Sequence, residues 1–168
     1  MRLWMDARSG LVAALLVVQV AGSAVGLAVT PNLFNPDPVN HVITDLRTGV
    51  ALFGYDPVAY HLDGQARQGL TDFEVALKDR IWRFTSAANK AAFEADSAAY
   101  VPLFGGHDGA SVSEGILIKG DPQFFVIASG QVVLFRDDAN RDRFAREPMI
   151  RQKARENWPS VVRQQAGH

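Results

Sequence analysis

Two stretches of this chain align without gaps at a spacing of 51 residues. Phe73, Val75, Phe84, Ala88, Asn89 and Phe93 recur as Phe124, Val126, Phe135, Ala139, Asn140 and Phe144. Six identities are a weak repeat signal alone; their placement is more informative. In each stretch, β-branched and aromatic residues flank a short polar break, Lys78-Asp79-Arg80 in the first and Ser129-Gly130-Gln131 in the second. That is the signature of a β-hairpin. A helix follows each. Ser86 can cap residues 87–95, where Ala88, Ala91, Ala92 and Ala95 supply propensity, and Asp137 can cap 138–146, with Arg143 and Arg146 near the negative end of the dipole. In both helices the Phe follows the Asn by four positions and shares its face, so the Phe turns to the sheet and the Asn to nearby backbone.

The pattern predicts an α+β fold: two tandem β-hairpin–helix units plus a C-terminal helix, with one shared sheet or two left open. Between the units, Asp96 to Phe104 reads as a helical turn and a loop into Gly105-Gly106. Pro148 opens a basic last helix that should end near Asn157, because the ring of Pro159 cannot sit in the hydrogen-bond ladder. Trp158 is expected to pack back on the body.

Ahead of this body, Gly10 to Thr30 carries no charge, and Leu11–Val20 has the length of a signal-peptide core. The small residues that follow would allow cleavage after Ala24 or Ala28. The whole stretch also approaches the roughly 20 residues that span a bilayer. Residues 1–30 are therefore expected to be a signal peptide or a membrane anchor, 31–40 (with Pro31, Pro36 and Pro38) an extended Pro-rich tether, and 41–168 the folded domain. Either leader puts that domain outside the cytoplasm, periplasmic or anchored, with membrane contact only through the N-terminal segment. The formal net charge is −1. With Arg2, Asp6 and Arg8 set aside the remainder carries about −2, which gives no clustered cation to neutralise phosphates and argues against nucleic acid. The absence of cysteine removes disulfides, thiolate metal sites and a thiol nucleophile together.

Chemistry-bearing residues concentrate in two segments. In Phe53 to His61, Asp56-Pro57 is a helix-start pair, and a short helix from Pro57 to Leu62 would follow. Asp56 can serve only as that cap; or Tyr55, Asp56, Tyr60 and His61 can line a pocket at a helix N-terminus that favours anions. In Gly105-Gly106-His107-Asp108-Gly109, the glycines allow close backbone approach to a ligand, and His107 with Asp108 offers nitrogen and oxygen donors. The other histidines are His41, His61 and His168. A tetrahedral zinc site is disfavoured without cysteine. No G-x-S-x-G, P-loop, H-E-x-x-H or dinucleotide fingerprint is present.

Taken in order, GYDPVAY at Gly54–Tyr60, Trp82-Arg83-Phe84 with Ser86, Asn89 and Phe93, Tyr100-Val101-Pro102 with Gly105-Gly106, Val133-Leu134-Phe135 and Asn157-Trp158-Pro159 resemble the exported proteins that carry a YHS domain, over most of residues 39–159. The resemblance implies an association with metal, often through cysteines. Where many relatives read GGYC, this chain has Gly105-Gly106-His107-Asp108. Ala59, Thr85 and Asn89 stand at the other positions where cysteine would be expected. The soft ligands suited to copper(I) or zinc are missing.

The leading expectation is a non-catalytic extracytoplasmic binding module of YHS type. Tyr55, Asp56, Tyr60, His61, Gly105 and Gly106 would hold a small ligand or an exported protein partner. An alternative is a metal-handling protein with a metal ion as cofactor on His107 and Asp108. A third is a small acid–base enzyme using His107 or Asp56.

Overall fold

A computed structural model describes residues 37–165. The expectations for the leader and for residues 31–36 lie outside these residues. Among them, no helix is long and apolar enough to cross a membrane.

The two units form where the repeat predicts them. The first comprises β1 (Leu70–Leu77), β2 (Arg80–Phe84) and a helix at Ala87–Ala95; the second comprises β3 (Asp121–Ala128), β4 (Gln131–Phe135) and a helix at Asp138–Arg146. Numbered along the chain, the helices are α1 (Ala59–Leu62), α2 (Ala87–Ala95), α3 (Ser97–Tyr100), α4 (Gly109–Ser113), α5 (Asp138–Arg146) and α6 (Pro148–Gln165). Each hairpin is its own two-stranded antiparallel sheet, which answers the question the sequence left open. Correspondence extends to irregularities. The register slips between Leu70 and Glu74 in one hairpin and between Asp121 and Phe125 in the other. Both tight turns place their central residues at positive φ, Lys78 and Asp79 in one, Ser129 and Gly130 in the other, the geometry that matches strand twist. Ser86 and Asp137 cap α2 and α5 by accepting from the backbone N–H of Asn89 and Asn140.

β4 joins the units. Side chains alternate across a strand, and here both faces are covered. Val132 and Leu134 enter a core with Ile43, Leu52, Tyr60, Trp82, Phe84 and Phe93. Val133 and Phe135 enter a second core with Phe104, Phe144, Ile150, Trp158 and Val162. Tyr60 of α1 adds a second link across the units. Its ring meets Phe125 edge-on at 4.8 Å and its hydroxyl donates to the Pro122 carbonyl at 3.0 Å.

Three expectations are corrected. α6 does not end before Pro159 but runs through it to Gln165. Proline removes the donor that would serve the carbonyl of Arg155. That residue is exposed, so water can satisfy it, while Trp158, Val161 and Val162 hold the following turn against the body. The end of the supposed tether is also not extended. Pro38–His41 forms a 3-10 turn capped by Asp37, and Val39 is buried in the first core. Pro57 and Val58 form a turn, so α1 is shorter than predicted and starts at Ala59.

β4's two-faced burial gives a test. Replacing the fully buried Leu134 by Ala should cost about 3 kcal/mol in urea unfolding, from lost transfer energy and the cavity left behind. Ile127→Ala on β3, where the side chain is 46 % exposed, should cost roughly 0.5 kcal/mol or less.

Candidate functional site

The two segments singled out in the sequence turn out to be equivalent parts of the two units. Each opens with a run of left-handed backbone: Leu52, Phe53 and Gly54 at φ 51°, 53° and 87°, and Phe104, Gly105 and Gly106 at 59°, 60° and 81°. Each then returns to the hairpin through the same contacts. Gly69 N–H donates to Gly54 O and Asp56 N–H to Arg67 O; Gly120 N–H donates to Gly106 O and Asp108 N–H to Ile118 O.

At the centre of each unit is a carboxylate with no solvent exposure. Asp56 Oδ1 accepts from the N–H groups of Val58 and Ala59, and its Oδ2 accepts from Thr85 N–H (2.7 Å), the Thr85 hydroxyl (2.8 Å) and Asn89 Nδ2 (2.7 Å). Asp108 Oδ1 accepts from Ala110 and Ser111, and its Oδ2 from Arg136 N–H (2.9 Å) and Asn140 Nδ2 (2.8 Å). Each carboxylate thus ties three elements together: the turn it caps, the end of the second strand and the first turn of the following helix. Asn89 and Asn140, expected to bond backbone, bond these carboxylates instead.

Burying a carboxylate is tolerable only when donors surround it, and here they do. The same geometry bears on metal binding. Thr85 and Asn89 serve Asp56. Asp108 could ligate a metal only by releasing Arg136 N–H and Asn140. The residues present do not fit a soft metal ion. Among the described residues no three His, Asp or Glu side chains cluster to hold one.

The remaining predicted residues separate. Tyr60 is fully buried, and its burial pushes the hydroxyl pKa far above the ordinary phenol range. His61 packs edge-on against Tyr100 at 5.5 Å, with its Nε2 buried without a hydrogen-bond partner; burial lowers its pKa. Gly105 is close to backbone of the chain itself. A Cβ there would lie 2.3 Å from the carbonyl of His41, and the Gly105 carbonyl accepts from Ile43 N–H at 2.8 Å. The glycine lets the segment 40–44 dock; Gly106 packs under Ile43 and Leu52 for the same purpose.

His107 and Tyr55 do face clefts. A cleft of about 250 Å³ lies between residues 40–46 and the loop at His107, lined by His41, Thr44, Arg80, His107, Leu117 and Lys119 among others. No carboxylate lines it. Arg80 donates to the Asn40 and Lys78 carbonyls and the Thr44 hydroxyl, and Lys119 Nζ to the Thr44 carbonyl. These partners are neutral, and among the described residues neither cation is in an ion pair. His107 Nδ1 lies 2.9 Å from the Phe104 carbonyl, which requires the proton on Nδ1 and leaves Nε2 as the lone-pair nitrogen. Burial lowers the pKa of both histidines; at His107 the hydrogen bond with the Phe104 carbonyl opposes this while His41 and Lys119 add to it, and at His41 Arg80 adds to it while Asp37 partly opposes it. A larger cleft, about 530 Å³, lies beside Trp158 and Phe104, but its charges (Asp37, Arg155 and Glu156) are mixed. Size favours that cleft; single-sign electrostatics favours the smaller one, and electrostatics is the more specific feature.

His41, Arg80 and Lys119 were not selected from the sequence. Arg80 read as the polar break of a hairpin, His41 as a residue next to the tether, and Lys119 carried no local signal. Only His107 of the predicted residues lines the cationic cleft.

Both carboxylates should behave as structural. Asp108→Asn puts an amide NH₂ against donors and should destabilise by about 2–4 kcal/mol. Asp56→Asn should cost as much. Chemical denaturation of both variants measures it, and a loss below roughly 1 kcal/mol would contradict the assignment.

Comparison with protein-family models, with curated proteins and with solved structures finds no match for this chain.

Proposed function

We propose that this chain is a non-catalytic binding module of YHS type, working outside the cytoplasm, that holds a small oxyanion in the cleft between residues 40–46 and the loop at His107. One observation carries the reading. Arg80, Lys119, His41 and His107 converge on a concave site whose lining has no acidic residue. Cations left without counter-charge in a partly desolvated cleft raise the local concentration of anions and bind them by charge-assisted hydrogen bonds. A volume of about 250 Å³ suits a carboxylate or phosphate head group better than a protein surface. The extracytoplasmic part of the proposal rests on the uncharged stretch Gly10–Thr30.

The frame around the cleft suits binding without chemistry. The Asp56 and Asp108 carboxylates are occupied by hydrogen bonds within the fold, so they supply neither a base nor a nucleophile to the cleft. His107 offers a lone-pair nitrogen with no acid beside it to orient the ring; its Nδ1 partner is a backbone carbonyl.

Titration calorimetry of the full chain with acetate, propionate and inorganic phosphate at low salt should show one-to-one binding in the millimolar range or tighter, weakening as salt is added. Lys119→Met should weaken it about tenfold, the worth of one hydrogen bond from a charged group. Absence of binding by all three anions would overturn the proposal.

The pH dependence has a definite sign. Both histidines have folded-state pKa values below the usual 6.5, so the unfolded chain binds more protons just below that pH. Their contribution to stability is full above 6.5 and is lost as pH falls through the lower folded values. A bound anion favours the protonated rings and opposes that loss. From about pH 7 to pH 5, the melting temperature of the free protein should fall while the increase produced by propionate grows.

A further inference from the structure

The duplicated frame exposes one residue that the fold does not explain. Phe53 and Gly105 occupy the same place in the two units, with nearly the same backbone (φ 53°, ψ 26° and φ 60°, ψ 20°). Left-handed backbone strains an L residue and not glycine. In the second unit glycine is obligatory because residues 40–44 press against it. In the first unit the place holds a phenylalanine that is 37 % exposed. A strained position with an aromatic side chain turned outward is the kind of feature found at ligand clamps.

The surroundings say what it would hold. The Phe53 ring lines a cleft of about 370 Å³ with Tyr55, Lys119, Asp121, Pro122, Gln123 and Arg136; Asp121 is its one acidic residue, and its Oδ1 accepts from the Gln123 N–H at 2.9 Å. Tyr55 is fixed there by Gln123, whose Nε2 donates to the Tyr55 hydroxyl at 3.2 Å. Lys119 lines this cleft and the cationic one, and its Nζ lies 5.6 Å from the centre of the Phe53 ring. One side chain therefore separates an anion site from an aromatic shelf. A ligand that satisfies both carries an acid group and a flat ring a short distance apart.

We infer that the ligand is a small aromatic carboxylate, with its acid group on Lys119, Arg80 and the two histidines and its ring stacked on Phe53 beside Tyr55. This rests on the oxyanion reading above and goes further by naming the ligand class. Stacking against the ring gives the affinity that a carboxylate alone lacks, and Lys119 serves both parts, as ion-pair partner of the acid and as the cation over the ring.

The test compares propionate with 3-phenylpropionate on the full-length protein by calorimetry. The aromatic acid should bind roughly fivefold tighter or better, as a stacked ring pair is worth. Phe53→Gly should abolish that preference. Because glycine accepts the left-handed backbone, the variant should melt no lower than the wild type to within a few degrees, which separates lost stacking from lost fold. If propionate binds and the aromatic acid binds no better, or if the preference survives Phe53→Gly, the inference falls and the oxyanion site stands. If neither acid binds, this inference falls, and the oxyanion reading falls with it where acetate and inorganic phosphate do not bind either. If 3-phenylpropanol binds as well as the acid, the anion site is wrong and this inference falls with it.

Discussion

The constraint on which this fold depends is the need to satisfy two carboxylates that water cannot reach. Asp56 and Asp108 are fully buried, and an unpaired charge there would cost several kcal/mol, a large share of the stability of any domain. Each is rescued by donors from three separate segments. The arrangement cannot be satisfied piecemeal. If the helix bearing Asn89 swings away, Asp56 loses a donor while remaining buried, so helix, hairpin end and capped turn hold position together. The apolar cores supply the driving force; the carboxylates select which arrangement of hairpin and helix is allowed.

Much of this architecture was legible in the sequence, because hairpins and capped helices leave local patterns. The alternating apolar runs, the polar breaks at Lys78 and Ser129, and the caps at Ser86 and Asp137 all stand where the pattern put them. The duplication was legible only in part. The gapless match starts at Phe73, although the structural repeat begins some twenty residues earlier. The reason is a length difference: Asp56 reaches back to Arg67, eleven residues on, whereas Asp108 reaches Ile118, ten residues on. One extra residue shifts the spacing from 51 to 52, and the two aspartates fall out of the alignment. Pro159 misled for a different reason. The proline rule concerns one missing hydrogen bond, and the buried Trp158, Val161 and Val162 outweigh it.

The candidate site was less legible, since its members are joined only by folding. His41 precedes the first unit, Arg80 opens β2 of the first, and His107 and Lys119 belong to the second. No window of sequence contains them together. Asp56 and Asp108 drew attention for the right residue type, but a carboxylate can be conspicuous because it builds the frame. The hydrogen bonds decide between the two roles, and they use both oxygens of each.

Comparison of the two units shows where the frame leaves freedom. Positions that hold it together agree in chemistry: Asp56 with Asp108, Asn89 with Asn140, Phe93 with Phe144, Gly54 with Gly106, Gly69 with Gly120. Positions facing the clefts disagree: Tyr55 against His107, Gln68 against Lys119, Arg80 against Gln131, Phe53 against Gly105. Of the two units, only the second supplies an imidazole and an ammonium to the cationic cleft, and only the first supplies its guanidinium and the exposed ring beside it; a further imidazole, His41, comes from the docked segment. A site that needs all four exists only because residues 40–44 are clamped between the units, by Gly105 on one side and Leu52 on the other. Duplication thus gives two rigid halves, and it is their differences, brought to a common edge by a short docked segment, that give the molecule a surface with chemical character.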